Sequence, residues 1–185
     1  MLRSFLFFKS FMNNPKTIGS IIPSSDKLGS YIASDIYRQV GDGVIVDVGA
    51  GTGAITKHLI KKFGISNVIA YECDEKLCEI LRKRFKGLTV IQDNADQIDV
   101  LMKNYKVKSV VCGIPLTTIS PILRELIERS IQRLLDNNGI YCNYTYRKKS
   151  AYHAVSGFKI EKVHKVFMNL PPAYVCFRRK LISDK

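Results

Sequence analysis

The stretch Asp47-Val48-Gly49-Ala50-Gly51-Thr52-Gly53 (DVGAGTG) lies where an apolar run, residues 44–49, gives way to a helical pattern, residues 54–63. Glycines at alternate positions let a backbone turn tightly and let a ligand approach it closely. Glu72 closes the next apolar run, 19 residues after Gly53, the spacing at which a carboxylate meets a ribose diol. A dinucleotide fingerprint, G-x-G-x-x-G with alanine tolerated last, is also satisfied because Ala54 follows. Spacing alone therefore leaves two ligand classes open. Asp47 separates them, since a carboxylate there suits a cationic or amine-bearing ligand and repels a pyrophosphate.

Working outward, short apolar runs alternate with longer amphipathic ones. Strands are expected at 44–49, 67–73, 88–92, 109–114 and 140–146, and helices at 54–63, 75–85, 95–104 and 121–135. The last helix carries Ile122, Leu123, Leu126, Ile127, Ile131, Leu134 and Leu135 at helical spacing, and Asn137-Asn138-Gly139 is read as its stop. Residues 158–167 and 173–180 read as two β-ribbons forming a final hairpin. Strand–helix repeats imply right-handed crossovers and a parallel sheet covered on both faces. The expected fold is an α/β Rossmann-like domain, a mainly parallel seven-stranded sheet with an antiparallel C-terminal edge and helices on both faces. It comprises one domain, 1–185, with an N-terminal helical segment at 1–40 and a catalytic core at 41–185. Ser24 and Ser25 are candidate caps for a helix following Pro23.

The chain has 185 residues, 46% hydrophobic and 24% charged, an ordinary composition for a folded domain. Its charge is unusual: 29 Lys plus Arg against 16 acids give +13. That excess suits a polyanionic partner, nucleic acid or an anionic membrane surface, and it also fits a merely solvated basic surface. Five cysteines with no C-x-x-C pair argue against a disulfide framework or zinc site and for a reducing compartment. The three histidines show no ligand spacing, so no metal is expected. No run reaches the ~18 apolar residues of a spanning helix. The opening MLRSFLFFKSFM is interrupted by Lys9 and lacks a small-x-small cleavage site, which makes export an unlikely fate and a cytoplasmic location the expectation.

DVGAGTGAIT, Glu72 and VIQDNAD (residues 90–96) together resemble the motifs of class I S-adenosylmethionine-dependent methyltransferases. The resemblance implies that Gly49, Ala50, Gly51 and Gly53 line the methionine and ribose part of the cofactor. Asp47 would orient its amino-acid end and Glu72, beside Cys73, would accept the ribose hydroxyls. Asn94, next to Ala95, takes the position where that class often has an aspartate meeting the adenine amino group, with Asp93 one residue away. Cys112, at the end of the fourth strand, and the segment Ile18-Gly19-Ser20 are further expected cofactor contacts. S-adenosylmethionine is the implied cofactor, with S-adenosylhomocysteine as product.

Substrate class rests on three stretches. NNPKTIGSIIPSSDKL (residues 13–28) is similar to the entry segment shared by ribosomal RNA adenine dimethylases and short bacterial phosphatidylethanolamine N-methyltransferases, and its wording is nearer the lipid enzymes. The turn Gly113-Ile114-Pro115-Leu116 and the ending NLPPAYVCFRR (residues 169–179) resemble the same lipid enzymes. Base methyltransferases often hold the adenine with Asn/Asp-Pro-Pro-Tyr/Phe at that turn, and some extract the base from a duplex. This turn offers neither an acceptor side chain nor a ring, and Leu116 reads as an apolar mouth for a lipid amine. Asn169-Leu170-Pro171-Pro172 imitates the base-holding motif, but it lies between the last two strands and reads as a structural turn. Gly113, Ile114, Pro115 and Tyr144 are the expected positioning residues, Tyr144 being preferred to Tyr146.

The apolar N-terminal run carries Arg3, Lys9 and Lys16 with no acid in residues 1–20, as a segment lying in an anionic bilayer interface would. The alternative is that the phenylalanines of this run pack on the domain itself, and the bilayer reading is preferred. Arg82-Lys83-Arg84-Lys86 and Arg147-Lys148-Lys149 could extend the same basic surface. The expected function is N-methylation of phosphatidylethanolamine by a protein held peripherally on the cytoplasmic membrane face. The rivals are an RNA partner, as in a ribosomal RNA adenine N6-methyltransferase, and a non-catalytic cofactor-binding protein.

Overall fold

The strands that read as continuous apolar runs lie at the centre of one sheet. A computed structural model of the protein describes residues 22–167 and 172–182. Its elements are α1 (Ile22–Val40), β1 (Val44–Val48), α2 (Thr56–Phe63), β2 (Val68–Glu72), α3 (Glu75–Arg84), β3 (Thr89–Gln92), α4 (Ile98–Leu101), β4 (Val107–Cys112), α5 (Pro121–Leu134), β5 (Leu135–Thr145), α6 (Lys148–Ala151), β6 (Phe158–Val166) and β7 (Ala173–Lys180). Sheet order is β3-β2-β1-β4-β5-β7-β6, with β7 alone antiparallel to its neighbours. The expected Rossmann-like architecture with an antiparallel edge is therefore present. Order reverses between β1 and β4, which is where open α/β sheets bind ligands beyond their strand ends.

Every residue of β2 is buried, as a strand covered on both faces requires. One core layer joins α1, α2 and α3 to the sheet through Ile32, Ile36, Leu59, Phe63 and Leu81. The other lies beneath α4 and α5 and contains Ile98, Met102, Ile127, Ile131 and Tyr141. Helix starts are chemically marked. Asp74 accepts from the Leu77 N–H (3.1 Å) at α3, and Ser120 accepts from the Leu123 N–H (3.3 Å) before Pro121 at α5. β6, at the sheet edge, exposes lysines that discourage pairing with another strand.

Several boundaries differ from expectation. Helix α1 already includes Pro23, Ser24 and Ser25, so those serines do not precede it. The third helix is a short 3-10 turn, Ala95–Gln97, followed by one turn of α4. Asn137-Asn138-Gly139 does not stop α5. The chain is already extended at Leu135, and the polar stretch bulges out of β5, so Val107 pairs with Leu135 while Ser109 pairs with Ile140. Asn138 sits at φ 63°, a left-handed conformation that asparagine tolerates. The apolar stripe of α5 is split as well: Ile127, Ile131 and Leu134 are buried, but Ile122 and Leu126 are exposed. The N-terminal anchor and the imitation motif's Asn169, Leu170 and Pro171 lie outside the described residues.

Arg178 on β7 is buried, and its guanidinium donates to Asn143 Oδ1, to the Ala151 carbonyl (3.2 Å) and to the His153 carbonyl (2.9 Å). It thereby fastens the connection after β5 to the sheet. Arg178→Ala removes the donor from three acceptors, two of them in buried hydrogen bonds, so a loss of about 3 kcal/mol is expected, read as a lowered denaturation midpoint.

Candidate active site

The tips of β1, β4 and β5 converge on two glycines. A methyl group placed on Gly113 would lie 2.8 Å from the Gly49 carbonyl oxygen and 3.4 Å from the Tyr144 hydroxyl. One placed on Gly49 would lie 2.8 Å from Ile114 Cγ1, and Gly49 adopts φ 70°. Both positions exclude a side chain, and at Gly49 the backbone conformation excludes one too. The Gly113 N–H donates to the Val48 carbonyl (2.7 Å) and the Gly49 N–H to the Tyr71 carbonyl (2.8 Å), locking the loop between its neighbouring strands.

Two buried carboxyls flank this loop. Asp47 accepts from the Thr56 hydroxyl (2.6 Å), a partner that no sequence signal announced because it depends on where α2 begins. Burial pushes the Asp47 carboxyl up to about 7; the Thr56 hydroxyl offsets part of this and the charge of Glu72 adds to it. Glu72 Oε2 accepts from the Gly51 N–H (2.9 Å), while Oε1 accepts from the N–H groups of Cys73 (2.9 Å) and Asp74 (3.1 Å). A carboxylate offers about four acceptor sites, so Oε2 keeps capacity for one ligand hydroxyl. Glu72 is thus both the anchor of the loop and a candidate ribose acceptor.

The remaining expected residues fall in different places. Asn94 is exposed beyond β3, its carbonyl accepting from the Tyr71 hydroxyl (3.1 Å), and Ala95 packs in the core. Ala50 is buried in the loop, and the Cys73 thiol is pushed up to about 12, first by burial. Cys112 is wholly buried in the layer beneath α5, and burial also pushes its thiol up to about 12. Pro115 accepts from the Thr118 N–H (2.9 Å) and hydroxyl (2.8 Å), which shapes the turn. Leu116 does not form a mouth. Its N–H bonds back to the Ile114 carbonyl (2.8 Å), and its side chain turns into the core at 5% exposure. Tyr144 and Tyr146 share strand parity, yet Tyr144 is held against the core and Tyr146 is exposed because β5 ends at Thr145. Burial raises the Tyr144 hydroxyl well above the ordinary tyrosine value, so it stays protonated and can donate. Ile18, Gly19 and Ser20 lie outside the described residues.

This arrangement fits an S-adenosylmethionine site. It offers a cradle that a Cβ would fill, a carboxylate with acceptor capacity to spare, and a second buried carboxyl whose ionisation a cationic ligand would favour. Comparison with known proteins agrees. A family model for ribosomal RNA adenine dimethylases matches residues 4–153. The chain belongs to the ribosomal RNA adenine dimethylase family. By family and by fold it is a class I S-adenosylmethionine-dependent methyltransferase. A ribosomal RNA small subunit methyltransferase A from Thermotoga petrophila is 31% identical over 125 residues, covering 65% of this chain and 45% of that protein. The chain spans less than half the length of this and two similar methyltransferases. An ornithine lipid N-methyltransferase from Singulisphaera acidiphila is 27% identical over 184 residues and is matched across 95% of both chains. TrmN from Thermus thermophilus shares the fold at a TM-score of 0.65 and 18% identity, covering 86% of this chain and 52% of that one. Among the described residues no group of His, Cys, Asp and Glu could hold a metal ion, and no helix is long and apolar enough to cross a membrane.

Glu72→Ala is expected to weaken S-adenosylmethionine binding about tenfold or more by calorimetry, and to lower the melting temperature because three N–H groups lose their acceptor. Asp47 binds its proton more tightly folded than unfolded. Its contribution to stability is therefore complete below about pH 4 and is lost as pH rises through about 7. Asp47→Asn should melt above the wild type at pH 8, with the difference shrinking towards pH 4.

Proposed function

We propose that this site transfers a methyl group from S-adenosylmethionine to the headgroup amine of an amino lipid, with phosphatidylethanolamine as the expected substrate, at an anionic membrane surface. When bound, the cofactor supplies an electrophilic sulfonium methyl. The work of the chain is positioning. Gly49 and Gly113 keep the space between β1 and β4 clear of side chains. Tyr144, protonated and beside Gly113, can orient an incoming polar group. The attacking nitrogen must be neutral, and a lipid amine released from water onto an apolar edge is favoured in that form.

The observation that carries the lipid reading is the turn after β4. An adenine amino group has its lone pair delocalised into the ring and benefits from a polar acceptor and a stacking ring. Gly113-Ile114-Pro115-Leu116 provides neither, and Leu116 is turned into the core. An aliphatic amine needs no such platform. Ile122 and Leu126, exposed on the first turns of α5 at the same edge, supply the apolar surface expected of Leu116. The end-to-end match with a lipid N-methyltransferase supports the same reading.

Ribosomal RNA adenine methylation is the second reading. The family model and the Thermotoga relative favour it, and the +13 charge suits RNA equally well.

Incubation with methyl-labelled cofactor and vesicles of phosphatidylethanolamine and phosphatidylglycerol, and separately with ribosomal RNA, distinguishes the two. Label is expected in lipid. Label entering RNA and never lipid would overturn the first reading in favour of the second.

A further inference from the structure

A groove of about 330 Å³ lies between the N-terminal half of α1 and the C-terminal end of β6, outside the site described above. It is lined by Lys27, Tyr31, His164, Lys165, Val166 and Phe167. Its floor is apolar and aromatic, and its charges are cationic. Tyr31 and His164 stack with ring centres 4.3 Å apart. The Lys165 ammonium lies 4.5 Å from the centre of the Phe167 ring and 5.8 Å from that of Tyr174. On α1 the carboxylates are already paired, Asp35 with Arg38 and with Lys162 (2.9 Å) and Asp26 with Lys57. Phe167 is 72% exposed, and the Tyr31 hydroxyl is buried beside the Lys162 ammonium.

Register ties the groove to the active-site edge. Tyr144 pairs with Val175, and Val175 with His164, so the three form one row across β5, β7 and β6. Residues directly opposite in antiparallel strands share a face. Here that is the α1 face, since Tyr144 and Val175 pack in the α1 layer and His164 stacks on Tyr31. Two strand spacings put the His164 backbone roughly 10 Å from that of Tyr144.

We infer that this groove seats the phosphate and proximal acyl portion of a phospholipid. The phosphate would lie against Lys165 and the apolar part over Tyr31, Val166 and Phe167, on the same sheet row as Tyr144 with the buried Val175 between them. As a substrate subsite this rests on the lipid reading above; as a lipid-binding groove it does not. Stacking chemistry argues against RNA here. Tyr31 and His164 each cover one face of the other and Lys165 covers one face of Phe167, so each of these rings has at most one face for a base. Apolar side chains rimmed by ammonium groups match an amphiphile with one anionic group.

The chain has no tryptophan, so Phe167→Trp places a single fluorophore in the groove. Titration with monomeric dihexanoylphosphatidylethanolamine and dihexanoylphosphatidylglycerol should give a saturable blue shift. Adding Lys165→Glu should weaken it about fivefold or more, the order expected for one basic residue at an anionic surface. S-adenosylmethionine binding, followed by calorimetry, should be unchanged in both variants and so reports an intact fold. No emission change with either lipid, a response indifferent to Lys165→Glu, or a response confined to an adenine-containing RNA oligonucleotide would overturn the groove. If wild type labels lipid while Lys165→Glu keeps its KM for lipid, the substrate subsite fails and the proposed activity stands. If wild type labels RNA alone while the tryptophan still reports lipid, the activity fails and the groove stands as a membrane-lipid site.

Discussion

The close approach of Gly49 and Gly113 is the constraint on which the rest of this site depends. Parallel strands β1 and β4 are hydrogen-bonded neighbours, so the loops leaving their tips would collide if both carried side chains. Removing both Cβ atoms lets the Gly113 N–H continue the sheet by bonding to Val48 and brings the Tyr144 hydroxyl against the same point. Strands β1 and β4 then deliver backbone to the centre of the site, and β5 delivers the Tyr144 hydroxyl. A centre built this way can position a ligand but has little acid–base chemistry of its own. In-line methyl transfer asks for little more.

The electrostatics of the two faces are complementary. At the cofactor loop, Asp47 and Glu72 are both buried, and the charge of Glu72 disfavours ionisation of Asp47. Glu72 accepts from three backbone N–H groups. Asp47 has only Thr56 and remains the group whose ionisation a cationic ligand would assist. On the opposite face of the sheet a buried cation, Arg178, meets carbonyl oxygens and Asn143 rather than a carboxylate. That choice fixes the segment after β5 without neutralising Arg178, and it stacks the guanidinium within 5.7 Å of the Tyr141 ring centre. The acidic loop is poised towards a ligand, whereas the arginine serves the fold.

Much of this was legible in the sequence where one physical cause dominates. Central strands β1 and β2, buried on both faces, read to within a residue or so because nothing polar interrupts them except the acids that mark the site. The glycine loop and Glu72 were legible because turn geometry and ribose recognition impose residue types at fixed spacing. Leu116 was misread because a turn destroys strand parity, and only the bond from its N–H to Ile114 decides which way it points. The α5–β5 junction was misread because Asp136-Asn137-Asn138-Gly139 satisfies the chemistry of a helix stop and of a bulge alike. Thr56, Asn143 and Arg178 carry no local signal, since each acquires its role from a residue far along the chain.

Family membership and local chemistry pull the substrate in different directions, and the difference is physical. A shared cofactor loop and strand order constrain how the sulfonium is held, and they are indifferent to what attacks it. On the proposed reading the acceptor is chosen at the tips of β4 and β5 and along the edge beyond them. There this chain withholds a stacking ring at the turn, exposes Ile122 and Leu126 beside it, and turns the rings of Tyr31 and His164 on each other. The missing ring lowers the return from binding a base, and the groove at Tyr31 and His164 presents apolar surface next to the Lys165 ammonium. A flexible aliphatic amine attached to an anionic, partly apolar body profits from the same features. The lipid reading proposed above rests on that edge rather than on the cofactor loop.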